Sequence, residues 1–503
     1  MRLPTSLFLL LAFTVLLRTR LAAQASPNVS LDDPRLPLVE HLIARGTIPD
    51  PSPMIRPFRR SDVIQSLRRA DTTKGSVDAE LVRRLSAEFS DLEGARWGAE
   101  ARVGAQAYTR ARRDLLRPGG PDGVQPYVDV RLEGVFGPVV AVSRPAVETR
   151  LKDDPDWQGR SDIEVTGRMA EAYLGLQFKW GRFWFGQFEQ NWGPVGYWGI
   201  PISPYAYPRN YLGLDLGTRT VRLQAQVGQL RDEIDANGDV IKRYNFSHRL
   251  GVRFSDRLHA ALWETTVFSG NDRSLDATFI NPVGFLLLSN QYGEGDDGNV
   301  IFGGDVTWRA FRAATFQLQL ALDDFQYEDR SAPTTYPDRW ALTLAAFGPL
   351  GHRLSWRALY TQASTLAFRT TNPYENIVDD SVGIGRGVPD MDHLGLAVTI
   401  PVRAHWAVTP DLAVQRQGAA RLTDPFPIDP ADVSATPQLL SSPVETTLRA
   451  GISVSGRAGP LDLQATGGVH HRTNVDNVEG TSTTRFEGRL QATLGLRGRG
   501  RLD

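Results

Sequence analysis

The feature that most constrains this chain is a two-residue alternation of apolar and polar side chains, which recurs from about residue 97 to the end. The clearest examples lie at residues 221–228, 315–322, 444–454, 461–466 and 486–497. Such alternation is typical of strands with one apolar and one polar face. Several of the segments reach the ~9–11 residues that a tilted strand needs to cross a bilayer, whereas strands of soluble sheets usually have about 5–6 residues.

The alternation predicts an all-β transmembrane barrel. A closed antiparallel barrel satisfies every backbone hydrogen bond in hydrocarbon, which an open sheet does not. With roughly 20–25 residues for each strand and its connection, the chain from residue 97 onward has room for about 16–20 strands, an even number by the usual rule. A soluble all-β sandwich or solenoid is the alternative.

The first 25 residues have the layout of an export signal. Arg2 precedes an apolar stretch from Leu7 to Leu17, and a run of small residues ends at Ala25. The apolar stretch is shorter than the ~20 residues of a membrane-spanning helix. We therefore expect residues 1–25 to be a cleaved signal peptide and the mature chain to reach the cell outer membrane.

Residues 26–95 have a helical periodicity instead. Apolar side chains recur every three or four positions within Leu36–Arg45, within a segment that Ser61 caps and that runs to Leu67, and within Asp78–Leu92. The sequence thus predicts an N-terminal helical bundle over residues 26–95, followed by the barrel over 96–503.

The composition excludes several classes of protein. There is no cysteine, which excludes a disulfide scaffold, a cysteine-ligated metal centre and thiol catalysis. The formal net charge is −1, so no polybasic surface points to a nucleic-acid partner.

Charged residues also occur on the polar phase of the predicted strands. Because both signs share this phase, we expect ion pairs inside the barrel rather than an anion-selective lining. The basic members are Arg131, Arg222, Arg249, Arg253 and Arg449, and the acidic members are Glu133, Glu171, Glu445, Asp462 and Glu487.

No motif of a catalytic or metal site is present. The acidic segments 232–239, 296–299 and 379–392 are interpreted as turns or loops, because a calcium loop counted from Glu233 would need a glutamate at its twelfth position, which is Tyr244. We therefore expect no enzymatic activity, no cofactor and no metal. A hydrolase whose catalytic residues come from separate strands of the barrel is a distant alternative.

Three short stretches carry a family resemblance. Phe185–Pro194 with Ser203–Pro208, Ile280–Pro282 and Gly303–Arg309, together with the N-terminal helices, resemble the capsule-assembly (Wzi) family of outer-membrane proteins. The resemblance implies a barrel of about 18 strands whose periplasmic end is plugged by the helical bundle. It also implies a lectin-like role in holding capsular polysaccharide at the cell surface.

Residues 183–211 are unusually rich in aromatic side chains, whose faces can stack on sugar rings. Phe183, Phe185 and Tyr211 flank strand-like segments and are assigned to the aromatic girdle of the membrane interface. The remaining candidates for polysaccharide contact, with packing within the loop as the alternative, are Trp192, Tyr197, Trp198, Tyr205, Tyr207 and Arg209.

The predicted function is thus that of an outer-membrane, lectin-like protein that retains capsular or other surface polysaccharide. Its expected partners are that polysaccharide, outer-membrane lipid and the outer-membrane assembly machinery, with no nucleic acid, and the chain is expected to be a monomer. A porin or substrate-selective channel is the alternative, because a polar strand face permits a water-filled lumen.

Overall fold

The computed structural model describes residues 25–70, 77–90, 96–110, 112, 114–117, 119–292, 298–311, 313–324 and 337–501. The predicted signal peptide, apart from its last residue, lies outside these residues, and so does Leu92 at the predicted end of the third helix. The boundary between residues 95 and 96 stays a prediction.

Within the described residues, eighteen long antiparallel strands form one closed sheet. Each strand pairs with the next along the chain, and the first pairs with the last through a register that begins at Trp97 and Gly500. The strands are β1 (Trp97–Thr109), β2 (Asp122–Phe136), β3 (Val139–Glu148), β4 (Gly167–Phe178), β5 (Gly181–Gln187), β6 (Tyr211–Gly217), β7 (Val221–Gln229), β8 (Val240–Arg253), β9 (Leu258–Asn271), β10 (Gly298–Phe311), β11 (Ala314–Asp324), β12 (Arg339–Leu350), β13 (Leu354–Ala363), β14 (Met391–Val402), β15 (Trp406–Gln417), β16 (Glu445–Ala458), β17 (Leu461–Thr473) and β18 (Ser482–Gly500). The predicted barrel is confirmed.

The two faces of the wall follow the alternation. Leu250 and Leu262 lie opposite each other on β8 and β9, and both point outward with 43% and 52% of their surface exposed. The neighbouring Arg249 points into the lumen, where it is buried and pairs with Asp305 of β10 at 2.9 Å. One phase of each strand thus meets hydrocarbon, and the other meets polar groups inside.

The prediction that Tyr211 belongs to the aromatic girdle was wrong. Phe183 and Phe185 are exposed on the outer face, but the ring of Tyr211 is buried inside, and its hydroxyl lies 3.3 Å from the side-chain oxygen of Asn245. Tyr211 is opposite Gly228, and a side chain at this glycine would overlap the tyrosine ring. The register of β6, which the local sequence does not reveal, decides this orientation.

The connections between strands differ in length at the two ends of the barrel. Eight turns of two to four residues lie at one end, here called the short-turn end, and nine connections of eight to 27 residues lie at the other, the long-loop end. Exposed aromatic side chains surround the short-turn end, where Phe136, Trp180, Phe254 and Phe311 each lie in a turn or next to one. This is the position expected of an interfacial girdle.

Among the described residues, three helices precede the barrel, and three shorter ones lie in the long connections. They are α1 (Leu36–Arg45), α2 (Arg60–Arg68), α3 (Val77–Ser90), α4 (Ala277–Ile280), α5 (Leu286–Tyr292) and α6 (Pro430–Ala435). Ser61 does not cap α2, because the helix starts one residue earlier, after the extended Arg59, and the Ser61 amide donates to Ser26 Oγ at 2.9 Å.

The first three helices share an apolar core and lie against the short-turn end. Leu42 of α1, Val63 of α2 and Leu85 of α3 are buried in one cluster. Arg45, the last residue of α1, donates to the carbonyl oxygens of His352 at 2.9 Å and Leu354 at 2.7 Å, in and beside one of the short turns. The amphipathic helices thus bury their apolar faces against each other and against Ala407 of β15, and they also contact the barrel through polar groups.

The segment before α1 runs along the inner wall and is held there by ion pairs. Asp129 of β2 accepts from Arg102 Nε at 2.9 Å, Arg144 Nε at 2.7 Å and the Tyr127 hydroxyl at 2.8 Å. Arg144 also donates to Asp32 of the segment at 2.8 Å. Burial opposes ionisation of Asp32, but Arg144 and Arg102 outweigh it and hold the pKa of Asp32 well below its usual range.

We expect Asp129→Asn to lower the free energy of unfolding by about 3 kcal/mol, because it leaves two buried guanidinium groups without their shared carboxylate. Urea unfolding of the detergent-solubilised barrel measures this loss. Asp162→Asn is the matched control, since its pair with Arg160 is exposed to solvent and contributes little to stability. Equal losses in the two variants would contradict the assignment.

His41 of α1 is also buried, and its Nδ1 lies 2.8 Å from Ser355 Oγ of the barrel wall. Burial lowers the pKa of His41 from its usual 6.5 to about 4. Between these two values the unfolded chain binds a proton at this position and the folded chain does not, so stability falls as the pH falls from about 6.5 towards 4.

We expect this histidine to destabilise the folded chain by about 2 kcal/mol when the pH changes from 7 to 5. His41→Gln should remove that part of the pH dependence, because glutamine carries no titrating group. Urea midpoints of both proteins at pH 7 and pH 5 measure the difference. The same pH dependence in both proteins would show that His41 is not the group responsible.

Candidate functional site

The connection between β5 and β6, residues 188–210, folds into the lumen. Its Ile200 amide donates to the side-chain oxygen of Gln319 on β11 at 2.9 Å, and the Gln319 amide group donates back to the Trp192 carbonyl oxygen at 2.9 Å. Gln319 is completely buried on the lumenal phase of its strand. The connection therefore enters the lumen and attaches to a strand that lies five positions beyond β6 in the sheet.

The same connection meets the chain between α1 and α2 inside the barrel. Ile55–Arg56 pairs as a short antiparallel strand with Asn191–Trp192, and the Gly193 amide donates to the Met54 carbonyl oxygen at 2.8 Å. A side chain at Gly199 would overlap the Trp192 carbonyl oxygen, so this tight crossing requires glycine there. Segments from the two ends of the barrel thus join in its middle.

A second long connection, residues 364–390, packs against the first. The Arg386 amide donates to the Gly199 carbonyl oxygen at 2.9 Å, and its buried guanidinium group donates to the hydroxyls of Thr343, at 3.1 Å, and Thr361 on the wall. Arg243 of β8 donates to three carbonyl oxygens of this connection. The second connection is therefore attached to β12 and β13, beside which it begins, and to β8 on another part of the wall.

The structure places the six predicted site residues in two groups. Trp192 packs on Ile55 and Ile202, Tyr197 stacks on His393 with ring centroids 5.5 Å apart, and Arg209 pairs with Asp379, so these three hold the connection in place. The other three line one cavity, and they are Trp198, Tyr205 and Tyr207.

This lumenal cavity has a volume of about 390 Å³. Asp32 of the segment before α1 and Pro37 of α1 line one side, and strands β16, β17 and β18 line another. The connections after β1 and β3 place the cavity towards the long-loop end, and they contribute Arg112, Asp114, Arg117, Gly120, Pro121 and residues 154–156.

Charged groups surround the three aromatic residues in pairs. Glu148 accepts from Arg168 at 2.7 Å and from Arg150 at 2.8 Å, and Asp154 accepts from Arg150 at 2.9 Å. The Tyr207 hydroxyl donates to Asp154 at 2.6 Å. A buried carboxylate with several donors is held in one orientation, so these groups form a rigid polar lining.

A similar arrangement surrounds Tyr205. Arg117 lies over its ring, 3.4 Å from the centroid, and pairs with Asp156 at 2.6 Å. Burial raises the pKa of the Tyr205 hydroxyl well above its usual value, so the phenol stays neutral and can donate a hydrogen bond. The Nε of Arg117 and the Oδ2 of Asp114 make no hydrogen bond but face each other as an ion pair, 4.0 Å apart.

Sequence reasoning missed the charged part of this lining. The alternation places Glu148 on the lumenal phase, but continued from Glu171 it places Arg168 on the outer phase, and a β-bulge at Ala170 turns Arg168 inward. Arg150 and Asp154 lie in the connection after β3, where no periodicity indicates direction. Only the folding of three separate connections towards one another brings these groups together.

The predicted ion pairs inside the barrel are confirmed for four of the five arginines. Each is paired with a carboxylate on a neighbouring or nearby strand. The pairs are Arg131 with Glu171, Arg222 with Asp215, Arg249 with Asp305 and Arg449 with Asp411.

The acidic segment 232–239 forms a hairpin turn, as predicted. Asp235 accepts the amides of Asn237 and Asp239, each at 2.8 Å, and Gly238 has a φ of +90°. Among the described residues, no group of three or more histidine, aspartate or glutamate side chains is placed to hold a metal ion. The same part of the chain contains no helix long and apolar enough to span a membrane.

Comparisons with known proteins agree at the level of the fold. No protein-family model and no curated protein matches the sequence. Among solved structures, the chain is similar to Wzi, a carbohydrate-binding outer-membrane barrel involved in group 1 capsule assembly in Escherichia coli, with a TM-score of 0.61 and 13% identity. The alignment covers 95% of this chain and 100% of Wzi.

Two further barrels match more distantly. The outer membrane protein OprD from Pseudomonas aeruginosa has a TM-score of 0.45, with 11% identity over 80% of this chain and 94% of its own. OccAB4 from Acinetobacter baumannii has a TM-score of 0.45, with 9% identity over 80% of this chain and 98% of its own. The predicted likeness to Wzi is thus confirmed for the fold, and this barrel fold supports a location in the outer membrane.

Proposed function

We propose that this protein binds polysaccharide at the cell surface and retains it there without turnover, as a lectin does. The observation that carries the proposal is the lumenal cavity, in which Trp198, Tyr205 and Tyr207 lie among fixed charged pairs. The likeness of the whole fold to a carbohydrate-binding barrel supports it.

The chemistry of the lining suits a sugar. Aromatic faces pack on the C–H face of a pyranose ring, and fixed carboxylates and guanidinium groups exchange hydrogen bonds with its hydroxyls. The charged pairs neutralise each other, so the lining offers directional hydrogen bonds rather than a strong net field. We assign the sugar contacts to Trp198, Tyr205 and Tyr207, while Trp192, Tyr197 and Arg209 position the connection that carries them.

The orientation of the barrel follows from the lengths of its connections. Long connections of outer-membrane barrels face the outside and short turns face the periplasm. On this rule the cavity opens towards the cell exterior, and the helices α1, α2 and α3 plug the periplasmic end. The same proposal includes a cleaved signal peptide and insertion by the outer-membrane assembly machinery. It also includes a monomeric state and a capsular ligand.

We expect the purified protein to bind polysaccharides on an array of bacterial capsular and surface glycans, and Trp198→Ala to weaken that binding. One lost aromatic contact of about 1.4 kcal/mol corresponds to a roughly tenfold weaker Kd. Trp180→Ala is the matched control, because this tryptophan lies exposed in a short turn at the other end of the barrel. Glycan binding that is equal in both variants would contradict the proposed site.

A second prediction separates retention from transport. Two connections and the chain between α1 and α2 meet inside the lumen. We therefore expect negligible conductance of the full chain in planar bilayers. Gln319→Ala, which removes the attachment of residues 188–210 to β11, should produce intermittent openings, and Gln438→Ala should not, because the exposed side chain of Gln438 donates to the Asp338 carbonyl oxygen outside the lumenal connections. A large, steady conductance of the unmodified protein would favour a channel instead.

A further inference from the structure

The connection between β9 and β10 packs on the outer face of the barrel wall and not in the lumen. On β8 and β9, the residues that share a face with the exposed Leu250 and Leu262 point outward, away from the lumen. On the same outward face, in the second and third pairs towards the long-loop end, Phe246 and Phe268 are nevertheless buried. What buries them is residues 272–292 of this connection, here called the covering segment.

Apolar packing holds the covering segment on the outer wall. The ring of Phe279 in α4 lies 5.5 Å from that of Phe246 and 4.7 Å from that of Phe268, measured between centroids. Leu286, the first residue of α5, is buried in the same cluster, with Val300 of β10. One side of the segment thus packs on the lipid-facing phase of three adjacent strands.

Polar contacts define the position further. Glu264 of β9 points outward and accepts the Leu286 amide at 2.8 Å and the Leu287 amide at 3.4 Å, where α5 begins. His248 lies opposite Glu264, and its Nδ1 is 3.3 Å from that carboxylate and 3.2 Å from the Gly284 carbonyl oxygen. The segment covers a polar pair that would otherwise face lipid, where an uncovered charge is costly.

The depth of this pair can be estimated from the strand geometry. A strand that rises ~3.3 Å per residue with a tilt of ~35–45° advances about 2.5 Å along the membrane normal. His248 lies six residues above Phe254 of the short-turn girdle, so it lies roughly 15 Å into an apolar band about 25 Å tall. The covering segment therefore descends below the upper edge of that band.

The other side of the segment is apolar and exposed. Val283, Phe285 and Leu288 are 72%, 56% and 58% exposed, and the sequence from Ala277 to Tyr292 contains no charged residue. This surface continues the lipid-facing surface formed below it by Leu250 and Leu262. Charged side chains of the segment are confined to its start, at residues 272–276.

We infer that the covering segment is embedded in the outer leaflet and that lipid acyl chains cover Val283, Phe285 and Leu288. The connection thereby shields the His248–Glu264 pair and enlarges the lipid-facing surface of the barrel on one side. This inference is independent of polysaccharide binding, since the segment lies on the opposite side of the wall from the lumenal cavity.

The absence of cysteine makes the test direct, because one introduced cysteine carries a nitroxide label at a single position. The probes are dissolved oxygen, which enters hydrocarbon, and a neutral water-soluble nickel chelate, which does not. The labelled variants Val283→Cys, Phe285→Cys and Leu288→Cys are placed in phosphatidylcholine nanodiscs that hold one chain each. Leu262→Cys is the lipid-facing reference, and Val478→Cys, an exposed apolar position in the connection between β17 and β18, is the aqueous reference.

We expect the ratio of oxygen to nickel collisions at all three positions to equal that at Leu262 and to exceed that at Val478 by about fivefold, since the bilayer core excludes water. Ratios equal to that at Val478 would overturn the inference. A low nickel accessibility that appears only in vesicles with several chains would also overturn it, because a second copy would then be the occupant. Heat-modifiable mobility on a gel confirms that each labelled barrel is folded, and Val283 and Leu288 decide the test if Phe285→Cys does not fold.

Discussion

The structure depends on one constraint, which is that a backbone in hydrocarbon must satisfy its own hydrogen bonds. The pairing of β1 with β18, from Trp97 and Gly500 onward, removes the last free edge of the sheet. Closure then separates two environments, so each strand carries an apolar phase outside and a polar phase inside. The lumenal charges, the connections inside the barrel and the covering segment outside it are all consequences of this separation.

Inside the barrel, buried ion pairs hold the segments together, as apolar contacts do in the core of a soluble protein. Asp129 pairs with Arg102 and Arg144 of the wall, and Arg144 also pairs with Asp32 in the segment before α1. A guanidinium group with two carboxylate partners fixes both distance and direction. The strong preference of this chain for arginine over lysine among its basic residues fits a lumen built from such contacts.

The two connections that enter the lumen bring the proposed site together. Residues 188–210 attach to β11 through Gln319, and residues 364–390 attach to β12 and β13 through Arg386. These attachments place Trp198, Tyr205 and Tyr207 beside charged groups from other connections. A site of this kind is preorganised, since the residues that would touch a sugar are already held by buried partners.

The sequence alone determined the closed antiparallel barrel, its approximate strand number, the three N-terminal helices and the internal ion pairs, because each of these follows from a local period of two or of 3.6 residues. It also singled out residues 183–211 as aromatic. Only the tertiary structure decided that Tyr211 points inward, that Trp192 is a packing residue, that Arg150 and Asp154 join the cavity, and that residues 272–292 lie on the outer wall. Those outcomes depend on strand register and on contacts between connections far apart in the chain, and a local pattern carries no information about either.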